Sequence, residues 1–469
     1  MIDRPGRRWL ALAAVLAATF MDLVDVTVVN VALPDLQRDL RAGAAAGQWA
    51  ASVYALAYAL LLITGGRLGD VAGRRRVFLA GVAGFTAASA LAAAAPDAGT
   101  LIAARAAQGA CAGLMVPQAL AAITVQFPPG RDRTRAFTLY GGLLGVAQAG
   151  GPLLGGLLTD HGGWRLVFLV NLPVGVAAFA AAARWMDDSR ARPAPRLDPV
   201  GVALAGAASV CATFPLIEGR ARGWPWWSGA LLAAAAALFA AFAVHQRRAA
   251  DPLVPPALWR RRSFAAGQVL ALALFTGVSA CFITLTWRLQ FGLGWSPTHV
   301  ALTGLAWPAG IACTAQLTHR FGPRRARRFV GAGTAVMTAG MAGLAVAAGG
   351  AATTAGLVPW LAVCGVGMGL ALPVLANAVI ADVPAGGAGA ASGVFNSVTQ
   401  LGGVLGVAAA GIAYAGGAAG GAGGAAGSAP RALALAAAAF AVAAVLSAAL
   451  PRSVAAPEAD ASRAPAASR

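Results

Sequence analysis

The sequence predicts an all-α integral membrane protein with fourteen transmembrane helices, and three observations carry that expectation. Of its 469 residues 59% are hydrophobic and only 11% charged, far more apolar chain than a water-soluble core of this size requires. The apolar residues gather into runs of about 20, the length that crosses a hydrocarbon core of about 30 Å. Short arginine clusters separate the runs on alternate connections, as loops retained on the cytoplasmic side do.

In chain order the first seven runs are 9–33, 48–68, 77–95, 100–124, 136–158, 166–186 and 199–217. The second seven are 226–245, 264–288, 298–318, 329–349, 355–379, 391–415 and 431–450. The first follows "RPGRR" and continues through Leu33, too long for the apolar region of a cleavable signal peptide, so it reads as a retained helix. With the N-terminus inside, the segments on that side hold 26 of the 35 arginines, among them Arg74 to Arg76, Arg131, Arg133 and Arg135, so both termini are expected in the cytoplasm. The Gly/Ala-rich stretch 416–430 is expected to be a flexible external connection. Little chain remains for a soluble domain, so any function belongs to the bundle.

A net charge of +18 could suggest nucleic acid, but the basic residues are spread between spans rather than gathered on one face, and no nucleic-acid partner is expected. The five cysteines lie in apolar runs without C-x-x-C spacing, and no metal site is expected. There is no lysine, hence no Gly-x-x-x-x-Gly-Lys phosphate loop, and ATP is not the direct energy source.

Self-similarity links the two ends of the chain. "QAGGPLL" from Gln148 recurs as "QLGGVLG" from Gln400, and "DVAGRRR" from Asp70 is echoed by "HRFGPRR" from His319. The two offsets are nearly equal, which fits six spans, two intervening spans and six more. Charge is not repeated: the counterparts of Asp25 and Arg105 fall near Gly277 and Leu357, so the first half does the work of charge.

Four stretches then align with a known pattern. "LVDVTVVNVALP" in the first span, "GRLGDVAGRRR" after the second, "LIAARAAQGACAG" in the fourth and "GGPLLGG" in the fifth resemble the signatures of the major facilitator superfamily. With "WRLVFLVNLPVG" (164–175), "GAASGVFNSVTQLGGVLG" (389–406) and fourteen spans, the chain resembles its drug:proton antiporter family with two extra central helices. One departure is Ala147, where that family often carries a glycine four residues before the Gly-Pro pair. The resemblance implies a major facilitator fold: a six-helix bundle (1–190), two additional helices with their linkers (191–250), a second six-helix bundle (251–452) and a disordered cytoplasmic tail (453–469). It also implies proton-coupled export of small amphipathic, hydrophobic or cationic compounds, such as drugs or antibiotics, across a bacterial plasma membrane.

The candidate residues follow from cost. A carboxylate or guanidinium at a helix centre is unfavourable by roughly 2.5 to 3.5 kcal/mol, so Asp22, Asp25 and Arg105 need a reason to be there. At about 1.5 Å per residue Asp25 lies roughly 12 Å and Arg105 roughly 8 Å from the same outer face, within reach of each other, with Gln108 one turn from the arginine. The expectation is a proton-coupling pair, Asp25 and Arg105, with Asp22 second. Gly66, Asp70, Gly73, Arg74 and Arg75 are implied to form a cytoplasmic gate. Gly151, Pro152, Gly155 and Gly156 make a segment easy to bend and to pack closely, and the resemblance implies that it is the antiporter motif. Asn30, Tyr54, Gln108, Gln118, Gln148, Asn396 and Gln400 are candidate polar groups of the substrate cavity. The expected partners are a small-molecule substrate, protons and the bilayer, with no cofactor, and the chain is expected to act as a monomer. The rival readings are a nutrient importer on the same fold, a membrane-embedded transferase, which the scattered histidines 161, 245, 299 and 319 do not favour, and a non-transporting sensor, which would bind its ligand tightly without net flux.

Overall fold

The computed structural model describes residues 5–127, 130–190, 198–254, 256–322, 325–349, 352–381, 388–418 and 422–450, and a few side chains inside these helices, Gln148 and His319 among them, lie outside the description. The expected tail 453–469 and the linker residues 191–197 are likewise outside it. The described chain is helical: α1 (Pro5–Asp39), α2 (Ala44–Ala72), α3 (Arg74–Ala93), α4 (Ala98–Gln126), α5 (Arg131–Gly162), α6 (Trp164–Leu169) and α7 (Asn171–Trp185) come first. α8 (Pro199–Ala221) and α9 (Trp226–Arg248) follow as a pair, then α10 (Pro256–Trp259) and α11 (Arg262–Thr286). α12 (Pro297–Gly304), α13 (Ala306–Phe321), α14 (Ala326–Gly349), α15 (Thr354–Ala381), α16 (Ala388–Ala418) and α17 (Ala422–Leu446) complete it.

Thirteen spans are long and apolar enough to cross a membrane among the described residues, and the 32-residue α5 supplies the fourteenth crossing. Two expected spans are broken, each for a local reason. The sixth divides at Val170 into α6 and α7, and the tenth at Leu305 into α12 and α13. Pro173 and Pro308 each stand three residues beyond these breaks, where a proline removes a helical N–H and crowds the carbonyl a turn before it. The ninth span runs on past α11 as a π-helical turn, Trp287–Gly292. The stretch 416–430, expected to be a loose connection, is helical to Ala418 and again from Ala422. Helix joints are local too: Gly73 takes φ 108° between α2 and α3, and Asp97 caps α4 by accepting from the Thr100 N–H at 2.9 Å, which holds its carboxyl below the ordinary carboxylate range.

α1 packs on α5 and α7, and α4 on α2 and α3; α11 packs on α16 and α17, and α15 on α13 and α14. The repeat is visible at atomic scale. A Cβ on Gly151 or Gly155 would stand 2.0 Å from Thr27 Oγ1 or 2.9 Å from Val28 Cα of α1, and one on Gly402 or Gly406 would stand 2.8 Å from Leu272 O or 2.3 Å from Thr276 O of α11. Glycine on α5 and α16 thus lets the backbones of α1 and α11 approach in the same way. The charge asymmetry is equally plain: a Cβ on Gly277 would meet the Phe440 ring at 2.5 Å, and Leu357 is fully buried, so the second half fills with packing the places where the first holds charge.

The first and second groups of helices meet mainly through α2 with α16 and α5 with α12, and α8 touches both α2 and α16. Toward the C-terminal end of α1, Val28, Leu33 and Leu36 join Leu285, Trp287 and Leu289 in one buried apolar cluster that spans both groups.

Candidate functional site

The most expensive side chains in the chain meet at one point. Asp25 of α1 and Arg105 of α4 form an ion pair with side chains 0% and 2% exposed. Four helices and a helix break converge to hold it. Arg105 Nη1 also donates to Gln108 Oε1 at 3.0 Å, and Arg105 Nε to Ala50 O of α2 at 3.3 Å. The guanidinium lies over the Tyr54 ring at 4.3 Å and within 5.8 Å of Phe168. The other carboxylate oxygen of Asp25 accepts from Asn171 Nδ2 at 2.8 Å and Gln108 Nε2 at 3.3 Å, while Gln108 Nε2 also donates to Ser89 Oγ of α3 at 2.7 Å. Both charges therefore keep hydrogen bonds besides each other, the condition under which a buried pair is tolerated.

Asn171 and Ser89 were not singled out from the sequence. Asn171 stands at the start of α7, one residue after the break before Pro173, and that break directs its amide at Asp25. The available signal was an amide inside "WRLVFLVNLPVG", an otherwise apolar stretch. Asp22, one turn from Asp25, is not bonded to Arg105; it accepts a hydrogen bond from the Tyr54 hydroxyl, and Tyr54 stacks on Tyr58 at 6.3 Å. Tyr54 thus touches both acidic residues' surroundings: its ring carries the arginine and its hydroxyl the second aspartate.

Beside this node a cavity of about 80 Å³ opens between the two groups of helices. Asn30, Ser52, Tyr54 and Arg105 line it from one side, and Ser279, Gln400 and Val404 from the other. Arg105 is its charged lining residue, with Asp25 behind it. Of the remaining polar candidates, Gln118 spends its amide on Gly65 O of α2 at 2.7 Å, a bond between helices, and Asn396 is exposed on α16. Gln148 lies on α5, with its side chain outside the described residues.

The stretch expected to be the cytoplasmic gate folds into a lock between α2, α3 and the end of α7. Asp70 belongs to the last turn of α2 and pairs with Arg74 Nη2 at 2.7 Å instead of capping α3, whose N-cap is Gly73. The Arg74 N–H donates to Ser189 O at 3.0 Å and the Arg75 N–H to Asp188 Oδ1 at 3.3 Å, and the Arg75 guanidinium donates to Ala183 O. A Cβ on Gly73 would stand 2.7 Å from the Asp188 carboxylate. A Cβ on Gly66 would make an ordinary contact with Pro117 at 3.6 Å, and the tight approach is at its neighbour Gly65, where a Cβ would meet Gly113 O at 2.2 Å. Asp188 and Ser189, absent from the sequence expectation, are the partners of this turn.

The segment of α5 expected to be the antiporter motif has two faces. Gly151 and Gly155 seat α1, as described, but Gly156 faces the second group of helices, where a Cβ would meet Thr298 Cα at 2.7 Å. Among the described residues no three His, Cys, Asp or Glu side chains are grouped as a metal site.

A helical bundle of two related halves, with a buried ion pair beside a cavity between them, defines a membrane transporter. The chain belongs to the Major Facilitator Superfamily, whose family model matches residues 15–407. It is 41% identical over 423 residues to the "Probable actinorhodin transporter" of Streptomyces coelicolor, covering 88% of this chain and 73% of that protein. It is 36% identical over 418 residues to the tetracenomycin C resistance and export protein of Streptomyces glaucescens, covering 87% and 76%. A bacterial homolog of the human lysosomal transporter Spinster, solved inward-facing and unoccupied, superposes with a TM-score of 0.69 at 16% identity over 97% of this chain and 100% of that one, a likeness of fold. The chain is therefore a multi-pass drug and antibiotic export transporter and not an enzyme.

Proposed function

We propose that the chain exchanges protons for small amphipathic, hydrophobic or cationic compounds and exports them by alternating access. The observation that carries this reading is the Asp25–Arg105 pair, buried, fully hydrogen-bonded and adjacent to the cavity between the halves. A carboxylate that loses its arginine in a low-dielectric cavity takes up a proton, and one that regains it gives the proton up. Rocking of the halves that parts and rejoins Asp25 and Arg105 would thus load and unload a proton in each cycle. With Arg105 lining the cavity and Asp25 behind it, a cationic substrate reaches the carboxylate only when the pair parts, so proton and cation compete for one site. Asp22, held by Tyr54, is the second acid on the path.

Homology to exporters of named antibiotics supports a substrate of that kind, small and amphipathic. We further read the membrane as the bacterial plasma membrane with both termini cytoplasmic, on the arginine distribution, and the protein as a monomer. We likewise read the domain limits as bundles at 1–190 and 251–452, the additional pair at 191–250 and a tail at 453–469. The Asp70–Arg74 lock, fastened to Asp188 and Ser189, would then be the cytoplasmic gate.

The test is uptake into inverted vesicles driven by an imposed pH gradient, with a panel of dyes and antibiotics. The wild type is expected to concentrate substrate and to lose that ability on adding a proton ionophore. Asp25→Asn, which keeps an oxygen for Arg105 but cannot ionise, is expected to insert normally and to lose proton-driven uptake. Uptake at the wild-type rate by Asp25→Asn would mean that the proton site lies elsewhere.

A further inference from the structure

We infer that Asp160 is a latch that holds the two halves together at the end of the bundle opposite the Asp70–Arg74 lock, by capping a helix that belongs to the other half. Asp160 lies in the last turns of α5, one turn beyond Gly156. Its Oδ2 accepts from the Thr298 backbone N–H of α12 at 3.0 Å. The local sequence explains why α12 needs it. Ser296 is the N-cap and accepts from the His299 N–H at 3.2 Å, and Pro297 at the first helical position has no N–H to offer. The Thr298 N–H is thus the first free donor of α12, and its acceptor comes from the first half of the chain.

The rest of the seat is built for the same contact. A Cβ at position 156 would stand 2.7 Å from Thr298 Cα and 2.9 Å from Pro297 O, so glycine there lets α5 approach the start of α12 closely enough for Asp160 to reach it. Nearby, Gln290 on the π-helical turn donates to Val31 O of α1 at 2.9 Å, and a Cβ on Gly411 of α16 would overlap the Gln48 amide of α2. All three contacts cross between the halves at the end of α1 that carries Leu33. Of the three, Asp160 supplies the one ionised side chain, and a negative charge at a helix N-terminus is favourable by charge as well as by hydrogen bonding. This interaction exists only while that end is closed, so it biases the population toward the closed arrangement. Asp160 is a positioning residue: it touches neither substrate nor proton site.

The inference rests on the transporter reading in one respect, that the Leu33 end faces outward, and the experiment separates the two. A cysteine at position 29, in the buried wall of the cavity below the seat, is labelled with a membrane-impermeant thiol reagent in intact cells and in inverted vesicles, in a background with the five native cysteines replaced. Asp160→Ala is expected to speed labelling in intact cells about threefold, the scale of a charge at an exposed helix N-terminus. Thr298→Pro, which removes the donor at a first-turn position that tolerates proline, is expected to do the same. The double variant should be no faster than either single one, since both remove one interaction. Faster labelling confined to inverted vesicles would keep the latch and reverse the topology. Unchanged labelling from both sides, or additive effects of the two substitutions, would overturn the latch.

Discussion

At the scale of single residues, the pairing of Asp25 with Arg105 predicts an asymmetry in stability. Removing one member of a buried pair strands the other charge and costs about 3 to 5 kcal/mol, whereas removing both leaves no buried charge unpaired. Arg105→Ala is therefore expected to lower the thermal midpoint of the detergent-solubilised protein more than the Asp25→Ala/Arg105→Ala double variant does. A double variant less stable than Arg105→Ala would show that the hydrogen bonds from Gln108 and Asn171 already compensate Asp25 without its arginine. The charges themselves were legible in the sequence because charge in a membrane span is rare enough to demand a partner. Asn171 and Ser89 were not, because amides and hydroxyls occur in spans as ordinary helix-to-helix bonds, and only the break at Val170 directs Asn171 to Asp25.

At the scale of elements, α5 and the pair α8–α9 carry two predictions. Pro152 interrupts the hydrogen bonding of the helix whose glycines seat α1 on one face and α12 on the other. Pro152→Ala is expected to reduce export more than it reduces abundance, read by a flux assay beside a quantitative blot. Equal loss of both would mean that the proline serves packing alone. The second prediction concerns Asp198, at the base of α8. Burial opposes its ionisation, but His245 at 2.8 Å, the Gly201 N–H at 2.8 Å and Gln246 at 2.8 Å outweigh that and hold its carboxyl below the ordinary range. A carboxyl with a lowered folded value contributes stability that is present above its unfolded value, about 4, and is lost as pH falls through the folded one. Asp198→Asn is therefore expected to lower the thermal midpoint at pH 7, with the difference from wild type shrinking as the buffer is acidified below about pH 4. A constant difference across that range would assign the effect to lost packing rather than lost charge. The same cluster reaches onward, since Gln246 Oε1 accepts from the Val254 N–H at 3.0 Å and Arg67 of α2 donates to Asp251 O at 2.8 Å, tying the extra helix pair and the chain after it to α2.

At the scale of the whole molecule, topology is the first thing to check. A cysteine at position 225, between α8 and α9, is expected to react with an impermeant reagent in intact cells, and one at position 261, just before α11, to be protected. The reverse pattern would overturn the fourteen-span orientation. Element limits were the weaker part of the sequence expectation for a uniform reason. Hydropathy reports which residues avoid water but not whether the helix through them is continuous, so the divisions at Val170 and Leu305 and the π-helical extension after α11 went unseen, while the Ala-rich 416–430 looked like a connection although much of it is helix.

What the sequence by itself determined is what composition and cost decide: a membrane bundle, its number of crossings, its two-half repeat, and the identity of the charges too expensive to be accidental. Those conclusions need no knowledge of which helix touches which, because the bilayer penalises polarity residue by residue. The tertiary structure alone decided the partners. That the turn after Asp70 and Arg74 is held by Asp188, that Asp25 has Asn171 as well as Arg105, that Gly156 faces the opposite half although Gly155 faces its own, and that Asp160 caps α12 all depend on contacts between segments far apart in the chain. Such contacts are set by how helices cross, and a hydropathy pattern, which records only the distance of each residue from water, holds no information about crossing.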